Sequence, residues 1–361
     1  MWMRRGTLTA VTLLVAAALV VTGCARQQAQ QPAPAVSKLK VGIVYDVGGR
    51  GDLSFNDMAY AGLSRAQTEF SGRIETRDLE PTAGGENREE LLRLMAGEKF
   101  DLIIGIGFLF TDSIQRVAKD FPGVKFGLVD GFIPDLTETS NVVCLLFKEQ
   151  EGSFLVGAAA ALKSKTGVVG FVGGMKIPLI EKFEAGYIAG AKYVKPSVRV
   201  LSDYAGTTGE AFRDPVKGKE LALAQYDRRA DIIYHASGGT GIGVFEAAVA
   251  KKRLAIGVDA DQSLTVKPGQ RSQILTSMTK RVDVAVYETI KALVDKSYKG
   301  GYRNFGLAEG GVGYAENDYN KAMIADIKDR LEELKQKIIS GEIKVPSSRA
   351  ELDTFLKTLP K

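Results

Sequence analysis

The chain has 361 residues, of which 45% are hydrophobic and 25% are charged, a composition typical of a globular protein that excludes an intrinsically disordered chain. The formal net charge is only +5, and no basic cluster is interleaved with aromatic residues, so we do not expect nucleic acid as a partner. A chain of this length exceeds one typical hydrophobic core and therefore predicts two domains.

The N-terminal end carries a charged segment followed by an apolar run. Arg4 and Arg5 precede apolar residues 8–21, an arrangement typical of a secretory signal peptide. The run is shorter than the roughly 20 residues that a membrane-spanning helix needs, although an uncleaved membrane anchor is the alternative. We therefore expect residues 1–23 to be a signal peptide that the mature protein lacks.

The residues that follow predict lipidation. Residues 20–24 (VVTGC) resemble a bacterial lipobox, in which the cysteine, here Cys24, is lipidated on sulfur and becomes the mature N-terminus. Residues 24–38 are rich in Gln, Ala and Pro, cannot bury enough apolar surface to fold, and are expected to form a flexible tether. The other cysteine, Cys144, lies in an apolar run and is interpreted as a small buried hydrophobe, so we expect no intrachain disulfide.

From residue 39 onward, short apolar runs alternate with segments of helical periodicity. The apolar runs predict strands near residues 39–45, 101–107, 124–129, 166–172, 198–201, 232–236, 254–258 and 272–278. The helical spacing predicts helices near residues 57–70, 111–121, 149–162, 180–194, 216–229, 241–251 and 281–294, and a long charged helix at 320–340. This alternation indicates an α/β fold whose parallel sheets are covered by helices on both faces.

Acidic residues, amides, glycines and aromatic residues follow these strands. In chain order the segments are residues 46–49 (DVGG), 54–57 (SFND), 107–112 (GFLFTD), 130–131 (DG), 237–241 (SGGTG), 259–261 (DAD) and 279–281 (TKR). Ligands of open α/β sheets bind beyond the carboxyl ends of the strands, so these segments predict a ligand-binding cleft.

A family resemblance rests on the order and spacing of seven segments. They are residues 41–46 (VGIVYD), 54–56 (SFN), 105–108 (GIGF), 181–187 (EKFEAGY), 238–241 (GGTG), 256–259 (IGVD) and 276–280 (TSMTK). Together they resemble the basic membrane protein family of bacterial lipoproteins, which are solute-binding components of ABC-type transporters and include purine-nucleoside receptors. The resemblance spans roughly residues 38–315.

The resemblance implies a type I periplasmic-binding-protein fold with two Rossmann-like lobes and a hinge of three crossovers. The implied first lobe holds residues 39–147 and 277–305. The implied second lobe holds residues 148–276, together with residues 306–361 and their C-terminal helices.

The resemblance also implies a site for a purine base. Residues at the positions of Phe55 and Phe183 stack on the base in nucleoside-binding relatives, and stacking contributes on the order of 1 kcal/mol per face. Asn56 and Asp112 would face the hydrogen-bonding edge of the base, whereas Asp130 is similarly placed but carries less weight. The alternatives are that the two rings belong to the core and that the two polar residues cap helices.

The ribose would be held by charged groups and by close backbone. Asp46 and Asp259 would accept hydrogen bonds from its hydroxyls. Lys280 would donate to a hydroxyl and neutralise the carboxylates, and Gly238 would let the backbone approach the sugar. The alternatives are turn residues and a solvated lysine. A Gly/Thr/Asp-rich loop at residues 203–214 departs from the family pattern and could reshape the mouth of the cleft.

Enzyme motifs are absent from the sequence. Residues 238–243 (GGTGIG) do not complete a G-x-G-x-x-G motif, and the chain contains no G-x-x-x-x-G-K-[ST] motif. The sole histidine, His235, is interpreted as a buried imidazole, and one histidine with one free cysteine argues against zinc or triad chemistry. We therefore expect no enzyme activity, no catalytic residue, no cofactor and no metal.

These inferences predict a lipid-anchored, extracytoplasmic solute-binding protein of an ABC-type importer that captures a purine nucleoside by hinge closure. The expected partners are the permease and ATPase subunits, and the membrane through the lipid anchor, and we expect a monomer. A receptor for a sugar or another small polar metabolite, a ligand sensor and a nucleoside hydrolase are the alternatives.

Overall fold

The structure, a computed structural model, describes residues 37–82 and 84–360. The predicted signal peptide, the lipidated Cys24 and nearly all of the tether lie outside these residues. Within the described ranges, no helix combines the length and the apolar character that crossing a membrane requires.

The described residues form twelve strands and twelve α-helices. The strands are β1 (Leu39–Val44), β2 (Ile74–Leu79), β3 (Leu102–Ile106), β4 (Lys125–Val129), β5 (Val142–Phe147), β6 (Val168–Met175), β7 (Arg199–Gly206), β8 (Ile232–Ala236), β9 (Leu254–Asp259), β10 (Ile274–Lys280), β11 (Gly301–Phe305) and β12 (Val312–Tyr314). The helices are α1 (Phe55–Glu69), α2 (Arg88–Gly97), α3 (Thr111–Asp120), α4 (Glu149–Lys163), α5 (Pro178–Val194), α6 (Pro215–Asp227), α7 (Gly241–Lys251), α8 (Gln262–Thr265), α9 (Val282–Val294), α10 (Lys321–Ile324), α11 (Lys328–Ile339) and α12 (Arg349–Thr358).

The strands form two six-stranded sheets of the same design. The first sheet has the order β11-β5-β4-β3-β1-β2 and the second has the order β12-β10-β9-β8-β6-β7. All neighbouring strands pair in parallel except β10 and β12, which are antiparallel. Inner strands such as β3 (LIIGI) and β8 (IIYHA) are buried along their whole length, as strands covered on both faces must be. The predicted α/β fold is therefore confirmed, and we call the part around the first sheet the first lobe and the part around the second sheet the second lobe.

The chain crosses between the lobes three times, and the crossing segments lie side by side. The crossings follow β5 at Lys148, follow β10 at Arg281, and join β11 to β12 through residues 306–311. The Lys148 N–H donates to the carbonyl oxygen of Phe305 at 3.0 Å, and the Arg281 N–H donates to the carbonyl oxygen of Gly311 at 2.8 Å. All three crossings are thus hydrogen-bonded together, which is the predicted hinge of three crossovers.

Two long helices of the second lobe pack with their backbones almost in contact. Helices α4 and α5 meet through glycines, because a Cβ atom at Gly190 would lie 1.9 Å from the carbonyl oxygen of Phe154 and one at Gly157 would lie 2.1 Å from that of Tyr187. No side chain fits in such a space, so glycine at these positions is what allows the two helices to approach.

Some elements differ from the predicted ones. The helix expected at residues 320–340 is divided into α10 and α11 by a turn at residues 325–327. The whole of β10 pairs in the second sheet, so the expected lobe limit at residue 277 falls inside a strand. The lobe limits themselves stay a prediction.

Candidate functional site

A cavity lies between the two lobes, beyond the carboxyl ends of the inner strands of both sheets. It encloses about 580 Å³ of space between atoms, its opening included, which is within the range of small-molecule sites. Each sheet reverses its strand order beside its first strand, between β1 and β3 and between β6 and β8, and the loops at these points form part of the wall. Ligands of open α/β sheets bind at such points.

Seven of the eight predicted ligand-binding residues line this cavity. They are Asp46, Phe55, Asn56, Phe183, Gly238, Asp259 and Lys280. The eighth, Asp112, is not part of the wall and is exposed in the first turn of α3. A short 3₁₀ helix, Phe108–Phe110, separates β3 from α3, so Gly107 and Phe108 form the wall where Asp112 was expected.

A buried lysine in the cavity wall lies among acidic side chains. Lys280 Nζ lies 2.5 Å from Asp130 Oδ2 and 3.1 Å from Glu149 Oε1, and Lys182 Nζ approaches the other oxygen of Glu149 at 3.3 Å. Burial alone would lower the pKa of Lys280, but Asp130, Glu149 and Asp259 together raise it, so the ammonium group stays charged. A buried cation of this kind is tolerated because it is paired.

Asp130 and Asp259 occupy equivalent places in the two lobes. Strands β4 and β9 hold the same position in the order of their sheets; Asp130 directly follows β4 and Asp259 ends β9. Both aspartates have a φ of 63°, a left-handed conformation that is uncommon outside glycine and more frequent in Asp and Asn than in most residues. Burial raises the pKa of each carboxyl group, and the nearby ammonium group opposes this effect. Asp130 Oδ1 has no hydrogen-bond partner within residues 37–82 and 84–360.

Asp46 and Asn56 are fixed by contacts within the first lobe. Asp46 Oδ1 accepts the Val47 N–H at 2.7 Å and approaches Arg88 at 3.4 Å, while burial raises the pKa of Asp46 to about 6. Asn56 Oδ1 accepts the Asp46 N–H at 3.0 Å, and Asn56 Nδ2 donates to Asp52 Oδ2 at 3.2 Å. The amide oxygen of Asn56 is therefore engaged inside the protein, which leaves one N–H of this side chain for a ligand.

Asp52 is a wall residue that the sequence analysis missed. Its carboxylate accepts three backbone N–H groups at the start of α1 in addition to the side chain of Asn56. Burial raises the pKa of Asp52 to about 7, against the opposing effect of these donors. The signal for Asp52 was weak, because it lies inside a loop and does not directly follow a strand.

Four aromatic rings line the cavity, two from each lobe. Phe55 and Phe183 were predicted, and their ring centroids lie 5.2 Å and 5.5 Å from Lys280 Nζ. Phe108 and Phe212 were not predicted, and they meet edge to face with centroids 6.5 Å apart. Phe212 ends a short 3₁₀ helix, Gly209–Phe212, inside the loop expected to reshape the mouth of the cleft.

Direct contacts between the lobes show that the structure is closed. Ser54 Oγ of the first lobe donates to Asp259 Oδ2 of the second lobe at 2.5 Å. Gln262 Nε2 donates to the Leu53 carbonyl oxygen at 3.0 Å, and Gln262 Oε1 lies 2.9 Å from His235 Nε2. His235 is fully buried, as predicted, and burial lowers its pKa to about 4 although Gln262 opposes this effect.

The wall of the cavity has the chemistry that a binding site for a small molecule needs. Its wall combines flat apolar rings with buried acceptors and one ammonium group, which suits a small ligand with an aromatic part and several hydroxyl or amino donors. In the described part of the chain, no group of three or more His, Cys, Asp or Glu side chains is arranged to hold a metal ion.

Comparison with known proteins agrees with this geometry. The Bmp family, described as ABC transporter substrate-binding protein PnrA-like, matches residues 39–349. The chain belongs to this family. Its members are substrate-binding components of transporters and not enzymes, so the predicted family, the predicted transporter role and the prediction that the protein is not an enzyme are confirmed.

Individual proteins are similar to this chain over most of its length. An uncharacterized lipoprotein of Pyrococcus abyssi is 35% identical over an alignment of 387 positions, gaps included. The alignment covers 95% of this chain and 93% of the relative. The ABC transporter nucleoside-binding protein BmpA of Lactococcus lactis is 32% identical over an alignment of 368 positions, which covers 96% of this chain and 100% of the relative. The crystal structure of an ABC transporter solute-binding protein from Aeropyrum pernix has 32% sequence identity and a TM-score of 0.76, covering 88% and 96%.

More distant structures share the fold alone. A glucose-galactose binding protein from Geobacillus stearothermophilus is 16% identical with a TM-score of 0.55, covering 78% of this chain and 98% of that protein. This similarity, together with the two sheets of identical strand order, confirms the predicted type I periplasmic-binding-protein fold.

Proposed function

We propose that this substrate-binding protein is a lipid-anchored, extracytoplasmic receptor that captures a purine nucleoside in the interlobe cavity and presents it to the permease of an ABC importer. The observation that carries the proposal is the wall of the cavity, in which aromatic rings from both lobes stand beside buried carboxylates. The relative in Lactococcus lactis that is named a nucleoside-binding protein supports the same ligand class.

The rings are the basis for proposing a base. A purine is flat and moderately polar, and it gains on the order of 1 kcal/mol from each aromatic face that it contacts. Phe55 of the first lobe and Phe183 of the second lobe are the proposed stacking partners, with Phe108 and Phe212 closing the space beside them. A base bound between rings of both lobes would favour the closed form.

The acidic residues are the basis for proposing a ribose. Its hydroxyl groups are donors, and buried carboxylates accept from them in charge-assisted hydrogen bonds. Asp46 and Asp259 are the proposed acceptors, Lys280 the proposed donor and Gly238 the point of close backbone approach. Asp130 takes the role proposed for Asp112, because it lines the cavity and Asp112 does not.

Closure of the lobes about the three crossovers is the proposed mechanism. A ligand that contacts both walls binds the closed form more strongly than the open form, and this difference in affinity is what shifts the equilibrium. The proposed lipid anchor is Cys24, and its support is the lipobox-like segment and a relative named a lipoprotein.

The decisive experiment is a thermal-shift titration of the protein that begins at residue 25. Guanosine, adenosine and inosine are compared with pyrimidine nucleosides, free bases, ribose and glucose. A ligand at 100 times its dissociation constant stabilises the fold by about 2.7 kcal/mol, which raises the melting temperature by several degrees.

Variants of the rings then test the site. We expect Phe183→Ala and Phe55→Ala to abolish the shift caused by purine nucleosides, each measured against its own ligand-free melting temperature. Phe132→Ala is the matched control, because Phe132 is 58% exposed and does not line the cavity. A shift caused by sugars alone, or one that survives both ring substitutions, would refute the nucleoside assignment and leave the family assignment in place.

A further inference from the structure

Leu53 joins the two lobes at a point outside the ligand cavity. It lies in the loop before α1 of the first lobe, yet its side chain packs against an apolar cluster of the second lobe that includes Val172 and Val244. Its carbonyl oxygen accepts the hydrogen bond from Gln262 Nε2 at 3.0 Å. Neither Leu53 nor Gln262 lines the cavity, so a molecule in the cavity takes no direct part in this contact.

The amide of Gln262 is held in one orientation by its own lobe. Gln262 Oε1 accepts the Val258 N–H at 2.8 Å and lies 2.9 Å from His235 Nε2, and both side chains are fully buried. Because the backbone N–H of Val258 can only donate, the oxygen of the amide must face it. The NH₂ group therefore points across the cleft to Leu53, and His235 carries its proton on Nε2 to donate to the same oxygen.

The backbone of Leu53 is strained in the closed form. Its φ is 56°, a left-handed conformation that is unfavourable for a leucine. Such a conformation persists only where surrounding contacts hold it, and here those contacts come from the opposite lobe and from Asp57, whose Oδ2 accepts the Leu53 N–H at 2.9 Å. When the lobes separate, the loop loses the contacts that compensate its strain.

We propose that Leu53, Gln262 and His235 form a latch that stabilises the closed form whatever ligand the cavity holds. Gln262 and Leu53 make the contact between the lobes, and His235 is a positioning residue that keeps the amide turned toward the first lobe. The proposal rests on the hinge closure proposed above and is independent of the nucleoside assignment.

The test measures the distance between the lobes with one spin label on each. Lys119→Cys in the first lobe and Val216→Cys in the second lobe are exposed labelling sites, whereas Cys144 is fully buried. Two variants weaken the latch in different ways, and both are measured at pH 8. Gln262→Glu keeps an oxygen for Val258 and removes the donor toward Leu53, whereas Leu53→Ala keeps the backbone strain and removes most of the apolar contact.

In the ligand-free protein, we expect both variants to have a smaller fraction of closed molecules. We also expect guanosine to dissociate from both variants about fivefold faster, a factor that corresponds to the net contribution of one hydrogen bond. Gln67→Glu and Leu94→Ala make the same changes at exposed positions of α1 and α2. Both controls should match the reference protein, which carries the two spin labels and no further substitution. Melting curves establish that each variant is folded.

The latch is overturned if both variants keep the distance distribution of the reference protein, or if the ligand-free reference protein has no closed population at all. Failure of the proposed function gives a different result. In that case no nucleoside shifts the distances of the reference protein, while the ligand-free distances of the two variants still decide whether the latch exists.

Discussion

Asp46 is a carboxylic acid whose ionisation is finely balanced at the edge of a closed cavity. Burial raises its pKa to about 6, although the Val47 N–H and Arg88 favour the ionised form. A folded-state pKa above the usual value means that the folded protein binds this proton more tightly than the unfolded chain does. The contribution of Asp46 to stability is therefore full below its usual pKa of 3.8 and is lost as the pH rises through about 6.

A ligand whose hydroxyl donates to Asp46 reverses this preference, because the hydroxyl stabilises the carboxylate. We expect the affinity for guanosine to rise as the pH increases from 5 to 7, by roughly tenfold, since below pH 6 binding must also release the proton. Titration calorimetry at several pH values measures this change. Asp46→Asn should weaken binding and flatten its pH dependence, and an affinity of the reference protein that is constant over this range would contradict the role of Asp46.

At the scale of elements, helices α4 and α5 depend on the absence of side chains between them. A methyl group at Gly190 would meet the backbone oxygen of Phe154, which cannot move aside as the end of a side chain can. We expect Gly190→Ala to lower the free energy of unfolding by about 3 kcal/mol, measured by denaturant titration.

The same substitution in another helix gives the control. Gly97 ends helix α2 on the surface, and no atom lies within 4 Å of the place where its Cβ would be. Gly97→Ala should leave stability unchanged or raise it by up to about 1 kcal/mol, because alanine is the better helix former. Equal losses at Gly97 and Gly190 would show that helix packing is not the cause.

The sequence predicted every inner strand except β5, whereas of the four edge strands it predicted only β7. β3 and β8 are continuous apolar runs because both of their faces are covered. β2 (IETRDL) has one buried residue in six and β11 (GYRNF) has one in five, so neither carries an apolar run. Their pairing is decided by neighbouring strands, which a local pattern does not contain.

Some residues of the candidate site could likewise be predicted from the strand pattern, and others could not. Asp46 and Asp259 lie at the carboxyl ends of strands, and their sequence position is enough to place them in the cavity wall. Glu149 and Phe212 reach the site only through a crossover and a loop, so no strand pattern predicts them. Asp112 was misplaced because the pattern did not show the short 3₁₀ helix before α3.

At the scale of the whole molecule, the two lobes share one core. A single cluster of buried apolar residues contains Ile104 and Leu145 of the first sheet and Val169 and Ile256 of the second sheet. If one lobe unfolded, apolar surface of the other lobe would be exposed to water. The shared cluster therefore couples the unfolding of the two lobes.

We therefore expect the protein that begins at residue 25 to unfold in one cooperative thermal transition. Scanning calorimetry should give a calorimetric enthalpy equal to the van't Hoff enthalpy, and a bound ligand should move the whole transition to higher temperature. Two resolved transitions, of which only one responds to ligand, would show that the lobes are independent domains.

Phe108 and Phe212 meet in the wall of the cavity, one ring from each lobe. If the cavity is the receptor site, such contacts between the lobes slow the escape of a bound molecule, and its residence time lengthens with the waiting time for the lobes to part. A ligand captured while its concentration is high would then stay bound after that concentration has fallen. The time of delivery would then depend on the membrane partner that separates the lobes and not on the supply outside.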